Sequence, residues 1–272
     1  MSERIKIIVC AHKKCNMPKD PMYLPLHVGA AGKKNKDGSP LDFGYVRDDI
    51  GDNISDRNCN FGTQTGLYWA WKNLDADYKG LVHYRRYFVG RNYKKGDMLG
   101  SVITRDEIEP MLDKYKVFVP KKRRYYIESL YSHYAHTHDE THFQIVEKII
   151  SSDCPEYLDA FKKVMKRKWG YMFNMMILER NMMDDYCSWL FNILFQVVER
   201  IDKSNLSAFN SRFCGRISEI LFDVWLEYKL QTGEISKSEV KERPYMEDVN
   251  WAFKVKVFLS AKFLHKKYGV SS

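Results

Sequence analysis

"GLVHYRRYF", residues 80–88, starts as a buried strand and ends in rings and cations. Gly80, Leu81 and Val82 are the short apolar run of a strand inside a sheet, and His83, Tyr84, Arg85, Arg86 and Tyr87 follow at once. In open α/β sheets ligands bind beyond the carboxyl ends of the strands. Two adjacent arginines at such an exit therefore point to an anionic ligand. A guanidinium fork meets phosphate oxygens bidentately and stabilises charge that develops on a departing diphosphate. The plainer reading of Arg85 and Arg86 is a salt-bridged surface pair.

Working outward, "RIKIIVCAHK" (4–13) reads as a first buried strand, followed by a long loop rich in Pro, Gly and Lys. "FGTQTGLYWAWKNL" (61–74) carries Leu67, Trp71 and Leu74 at helical spacing. Thr104 and Glu107 have the capping-box spacing that opens a helix. "KVFVPKK" (116–122) and "YMFNMMILER" (171–180) read as two more strands. Asn181 opens a long amphipathic helix, and a last one, with Ile217, Leu221, Val224 and Trp225 on one face, ends near Gly233. Strands alternating with helices predict an α/β fold with a mostly parallel central sheet flanked by helices.

The core domain is expected over residues 1–233. Residues 234–272 read as a polar linker and a basic, aromatic, amphipathic C-terminal helix. That helix suits an anionic membrane interface, or it docks on the domain.

A hydrophobic fraction of 44% and a charged fraction of 29% are those of a soluble globular protein, and no apolar run approaches the ~20 residues that span a bilayer. The opening "MSERIKIIVCAHKKC" lacks a secretory signal's apolar core, which predicts a cytoplasmic chain. Six cysteines without a CxxC pair read as free thiols. The net charge of +9 asks for an anionic partner. Nucleic acid is not expected, because the basic residues are dispersed and no helix-turn-helix, zinc finger or RNP motif occurs. The absence of Walker A, GxGxxG, GxSxG and HRD motifs argues against P-loop enzymes, Rossmann dehydrogenases, serine hydrolases and kinases.

Three constellations remain. His133, His136, His138 and His142 crowd together, and on one helix His138 and His142 would share a face at a spacing that suits zinc. With no HExxH motif they read first as helix-surface or substrate-loop histidines. "RDDIGDNIS" (47–55) offers Asp48, Asp49, Asp52 and Asn53 without EF-hand spacing; it is a turn suited to holding ribose hydroxyls or a sugar. Glu219 in "GRISEILF" is placed in the first turn of a helix after Gly215, where the helix dipole favours a carboxylate, and by itself it reads as plain helix-end charge. An inverting sugar transferase needs one carboxylate to deprotonate its acceptor.

Taken together, "RDDIGDNIS", "TGLYWAWKN", "YKGLVHYRRYF", "PKKRRYYIESLYSHYAHTH", "YMFNMMILER" and "GRISEILFDVWL" resemble the bacterial capsular and exopolysaccharide biosynthesis glycosyltransferase family long catalogued as a domain of unknown function, which includes galactofuranosyltransferases. The resemblance runs in the same order over roughly residues 5–230. It implies a GT-A-like fold, a UDP-sugar donor (galactofuranose or another hexose) and a lipid-linked polysaccharide repeat unit as acceptor, handled by an enzyme peripheral to the inner face of the plasma membrane.

Carried onto these residues, Ala11, His12 and Lys13 would approach uracil and ribose. Asp48, Asp49 and Asn53 would complete the donor pocket with His83, Tyr84 and Asn174, the last walled by Met172 and Phe173. Tyr131, His133, His136 and His138 would line the acceptor side. Glu219, or failing it Asp49, would be the base, and Arg85 and Arg86 would stabilise departing UDP. GT-A enzymes commonly hold Mn²⁺ or Mg²⁺ with a DxD after a central strand, where this chain has His83, Arg85 and Arg86. No metal ligand is therefore expected, and Asp75 and Asp77 read as a turn. Two rival readings stay open, a non-catalytic sugar-nucleotide-binding assembly module and a metal-dependent hydrolase built on the histidines.

Overall fold

The computed structural model describes residues 3–204 and 206–248. Its sheet follows the order β10-β6-β9-β4-β1-β2-β3. β1 (Glu3–Ala11), β2 (Tyr23–His27), β3 (Val46–Arg47) and β4 (Ala76–His83) form a parallel half, in which β1 pairs with both β2 and β4. β9 (Met176–Glu179) runs antiparallel between β4 and β6 (Val117–Pro120), and β10 (Val240–Arg243) lies parallel to β6 at the edge. The sheet is mostly parallel and helices pack against it, as the apolar runs predict. The core strands β1 and β4 are buried almost throughout because helices cover the sheet.

The helices follow their sequence signals closely. α1 (Asn58–Phe61) precedes α2 (Gln64–Asn73). α3 (Arg105–Leu112) begins at the capping box, with the Thr104 N–H donating to Glu107 Oε2 at 2.9 Å. α4 (Leu130–Thr137) and α5 (Thr141–Asp153) are separated at His138, and α6 (Leu158–Met165) follows Pro155. α7 (Arg180–Arg200) starts at Arg180, directly after the last residue of β9, rather than at Asn181. α8 (Phe213–Thr232) ends at Gly233, whose φ of 78° terminates the helix in the left-handed region. No helix among the described residues is long and apolar enough to cross a membrane.

Two expectations need correction. "YMFNMMILER" is a strand only from Met176, since Phe173 and Asn174 hold φ of 78° and 52° and bend the chain before it. The expected linker after residue 233 instead returns to the sheet. β10 joins β6, and β11 (Tyr245–Glu247) joins β5 (Arg86–Phe88), itself paired to the end of β4. These edge strands were hidden because "VKER" and "YME" carry little apolar signal. Within the proposed C-terminal helix, residues 249–272 lie outside the described residues.

Candidate active site

The carboxyl ends of β1, β2 and β4 open onto one side of the sheet, and there the Tyr84 ring gathers its neighbours. His12 meets it edge-on at 5.5 Å, His83 lies at 6.5 Å, and Lys13 Nζ and the Arg85 guanidinium sit 5.5 and 5.4 Å from its centre. Of the sequence-derived donor residues, His12, Lys13, His83 and Tyr84 are thus brought together, with Ala11 buried at the end of β1 behind them. Burial, then the charges of Arg86 and Arg85, push His83 down to about 3, so it is a neutral imidazole at physiological pH. Burial and the charges of Arg212, Arg85 and Lys13 lower His12 as well.

Arg85 and Arg86 do not act as a pair. The turn out of β4 directs Arg85 to Tyr84, whereas Arg86 Nε donates to Glu247 Oε2 at 2.9 Å and its guanidinium lies 4.6 Å from the Phe173 ring. Arg123, on the short strand β7 (Arg123–Arg124), approaches the same ring at 5.8 Å. Glu219 faces this second group of cations. Burial raises its carboxyl above the usual range, while Arg86, Arg123, the Phe173 backbone N–H and Arg216 oppose that rise. A carboxylate poised upward in this way is a better base near neutral pH than an ordinary glutamate. Glu219 lies in the second turn of α8, not the first, since the helix already begins at Phe213.

Four further sequence-derived residues, Asp48, Asp49, Asn53 and Asn174, are engaged in hydrogen bonds within the chain. Asp48 is fully buried, and Gly29 N–H (2.8 Å), Ala30 N–H (3.0 Å), the Thr65 hydroxyl (2.6 Å) and the Ser55 hydroxyl all donate to it. Its oxygens are therefore engaged in closing the loop after β2. Gly29 is obligatory there, because at φ 68° an added Cβ would fall 2.4 Å from Asn58. Asp49 accepts from Arg47 at 3.0 and 2.6 Å, and this hydrogen bond holds its carboxyl below the ordinary range, which disfavours it as the base. Asn53 closes a local turn with Gly51 and Ser55. Asn174 donates to the Gly215 carbonyl at 2.8 Å and accepts from Ser218 Oγ at 3.0 Å; it thereby fixes the start of α8 and the bearing of Glu219.

Of the residues expected to line the acceptor, His133 Nδ1 (3.0 Å) and His136 Nδ1 (2.7 Å) both donate to buried Glu128, and His133 lies 4.4 Å from Tyr125. Tyr125 in turn stacks under Arg123 at 5.1 Å, so this cluster borders the Glu219 site. Tyr131 and His138 are not part of it. Tyr131 points outward to Glu140, and His138, at the end of α4, lies against Tyr134 and Phe209. The helix break at His138 also separates it from His142, which is buried against the Tyr134 hydroxyl at 2.8 Å. The shared face that a single helix would give His138 and His142 does not form, and no group of three metal-ligating side chains converges among the described residues. Asp75 and Asp77 bond to Arg180 at the opposite end of β4.

Sequence reasoning missed Arg123, Arg216, Glu128 and Glu247. Arg123 sits in "KKRR", which reads as solvated surface; only the alternation of a strand turns Arg123 inward.

One turn beyond Glu219 on α8, Asp223 is buried beside a cavity of about 320 Å³ lined by Lys122, Trp169, Tyr171 and Glu242. It accepts from the Tyr171 N–H at 3.0 Å, and burial raises its carboxyl to about 7. Gly170 leaves room for it, since a Cβ there would lie 2.6 Å from Asp223 Oδ2. A folded-state pKa above the unfolded one gives stability that is complete below pH ~4 and lost as pH rises through about 7. Chemical denaturation should show the wild type losing about 2 kcal/mol between pH ~5.5 and ~8 relative to Asp223→Asn, whose stability should lack this component. Equal pH profiles would place the Asp223 titration elsewhere.

No curated protein matches the chain significantly. The apo structure of WbbM, a bifunctional glycosyltransferase, superposes with a TM-score of 0.79 at 28% sequence identity. The match covers 91% of this chain and 46% of WbbM, so the chain spans less than half the length of that protein. This neighbour agrees with the resemblance read from "YKGLVHYRRYF" and "GRISEILFDVWL". Residues 6–230 match the family described as a domain of unknown function, DUF4422, and the chain belongs to that family.

Proposed function

We propose that this chain is a glycosyltransferase with a GT-A-like fold that moves a sugar from a nucleoside diphosphate donor to a hydroxyl of a lipid-linked capsular or exopolysaccharide repeat unit. The observation that carries the proposal is Glu219, a carboxylate raised by burial and ringed by Arg86, Arg123 and Arg216 beyond the carboxyl edge of the parallel strands. The similarity to a bifunctional glycosyltransferase over about half its length supports it.

In this reading Tyr84 with His12 and Lys13 receives the nucleoside, and Arg85 meets the diphosphate. The acceptor oxygen attacks the anomeric carbon while its proton passes to Glu219. The bond from that carbon to the diphosphate oxygen breaks with its electron pair staying on the diphosphate, which the arginines stabilise. Attack opposite the leaving group inverts the anomeric centre. UDP is the favoured nucleotide and galactofuranose or another hexose the favoured sugar, on the family resemblance. The cations supply the charge that a divalent metal would otherwise bring, so the reaction is proposed to be metal-independent and to occur at the cytoplasmic membrane surface.

Thermal-shift titration with UDP, GDP, ADP and CMP, in EDTA or Mn²⁺, tests this. UDP at a hundred times its Kd should stabilise the chain by about 2.7 kcal/mol. The shift should survive EDTA and shrink in Arg85→Ala. Stabilisation only with Mn²⁺ would defeat the metal-independent reading, and no response to any nucleotide would defeat the donor assignment.

A further inference from the structure

The loop that leaves β7 ends in a strained turn. Ile127 N–H donates to the Tyr125 carbonyl at 2.6 Å across Tyr126, whose φ is 56°. A three-residue turn of this hand is rare and costly for a residue with a side chain. It lifts Tyr126 to 76% exposure and Ile127 to 61%, an aromatic and an aliphatic side chain side by side in solvent.

Two basic segments adjoin this tip. "KKRR" (121–124) and "KKVMKRK" (162–168) contain no carboxylate. The structure joins them: β7 pairs with β8 (Trp169–Gly170), Tyr125 N–H donates to the Lys168 carbonyl, and Leu130 N–H donates to the Arg167 carbonyl. Lys122 pairs with Glu242, and Lys163 and Arg167 share Glu227. Lys121, Arg124, Lys166 and Lys168 are exposed and make no ion pair among the described residues. Residues 249–272 contain no Asp or Glu that could pair with them.

We infer that this face is the surface with which the chain contacts an anionic lipid bilayer, the Tyr126–Ile127 tip entering the interface and the four cations meeting lipid phosphates. An acidic polymer would be met by the cations alone. The apolar pair at the centre is what selects a membrane, where burial of apolar groups and attraction to anionic headgroups add. The inference locates the membrane-facing side of the function proposed above, resting on its membrane placement but not on sugar transfer. It also sets that side beside the chemistry, because Arg123, adjacent to Arg124 on β7, faces Glu219.

Flotation of the full chain with phosphatidylcholine vesicles, with and without phosphatidylglycerol, tests it. The wild type should float with the anionic vesicles only. Tyr126→Gly with Ile127→Ser, and separately Lys121→Glu with Arg124→Glu and Lys168→Glu, should each lower the bound fraction about tenfold. Glycine takes a positive φ without steric cost, so the tip variant should keep the wild-type melting temperature. Three outcomes overturn the inference. The tip variant floating like the wild type, while Lys254→Glu with Lys256→Glu and Lys262→Glu does not, would assign binding to the C-terminal segment. Binding lost in the charge variant and intact in the tip variant would show adsorption by charge alone and remove the tip from the interface. A wild type that does not float would remove the membrane placement itself, while nucleotide binding would still be judged by its thermal shifts.

Discussion

Glu219→Gln is expected to lower the turnover number by about a hundredfold to ten-thousandfold, the usual contribution of a positioned general base. Gln keeps the size of the side chain and its place among Arg86, Arg123 and Arg216 but cannot accept the proton. Donor binding, read as the UDP-induced thermal shift, should therefore stay close to wild type while transfer fails. The pH dependence should agree. Wild-type turnover should fall on the acid side as Glu219 becomes protonated, with a midpoint above that of an ordinary glutamate, because burial raises this carboxyl. Asp49→Asn should change turnover far less, since Asp49 is engaged by Arg47. A Glu219→Gln chain that retains a tenth or more of wild-type turnover would remove Glu219 as the base.

The second large effect concerns stability. Asp48→Ala should destabilise the fold by about 3–5 kcal/mol, since it leaves two backbone N–H groups and two hydroxyls without their acceptor in a buried site. At about 2–4 °C per kcal/mol for a chain of this size, melting should fall by roughly 10 °C. Asp48→Asn, which keeps one acceptor oxygen, should lie between that variant and the wild type. If Asp48→Ala melted like the wild type while losing nucleotide binding, Asp48 would contact the donor directly. The structure gives it a scaffolding place.

These two residues mark how far the sequence could be read. Position 219 stood out only through the family resemblance, since a carboxylate near the start of a helix reads by itself as ordinary helix-end charge. Asp48 was legible only as an acidic residue in a turn, because what closes on it, Gly29, Ala30, Ser55 and Thr65, comes from three separate segments. β1 and β4 announced themselves by the short apolar runs IIVCA and GLV, and α3 by its capping box. The antiparallel β9 and the polar edge strand β10 could not be placed from local pattern, since pairing partners are set by packing across the whole sheet. The adjacent arginines read as one device, yet a one-residue change of direction at the end of a strand sends them to different neighbours. Arg123 was invisible for the converse reason, standing in a basic run of which one member turns inward.

The return of residues 240–247 to the sheet bears on where this unit can be cut and joined. The family match ends at residue 230, but Glu247 on β11 holds Arg86, and Tyr171 reaches back to Glu242 on β10 at 2.7 Å. A chimera spliced at the end of the match would sever an arginine of the candidate centre from its counter-ion and expose the free edge of β6. The smallest portable module of this fold therefore extends through β10 and β11, and exchanges between relatives should place their crossover points beyond them.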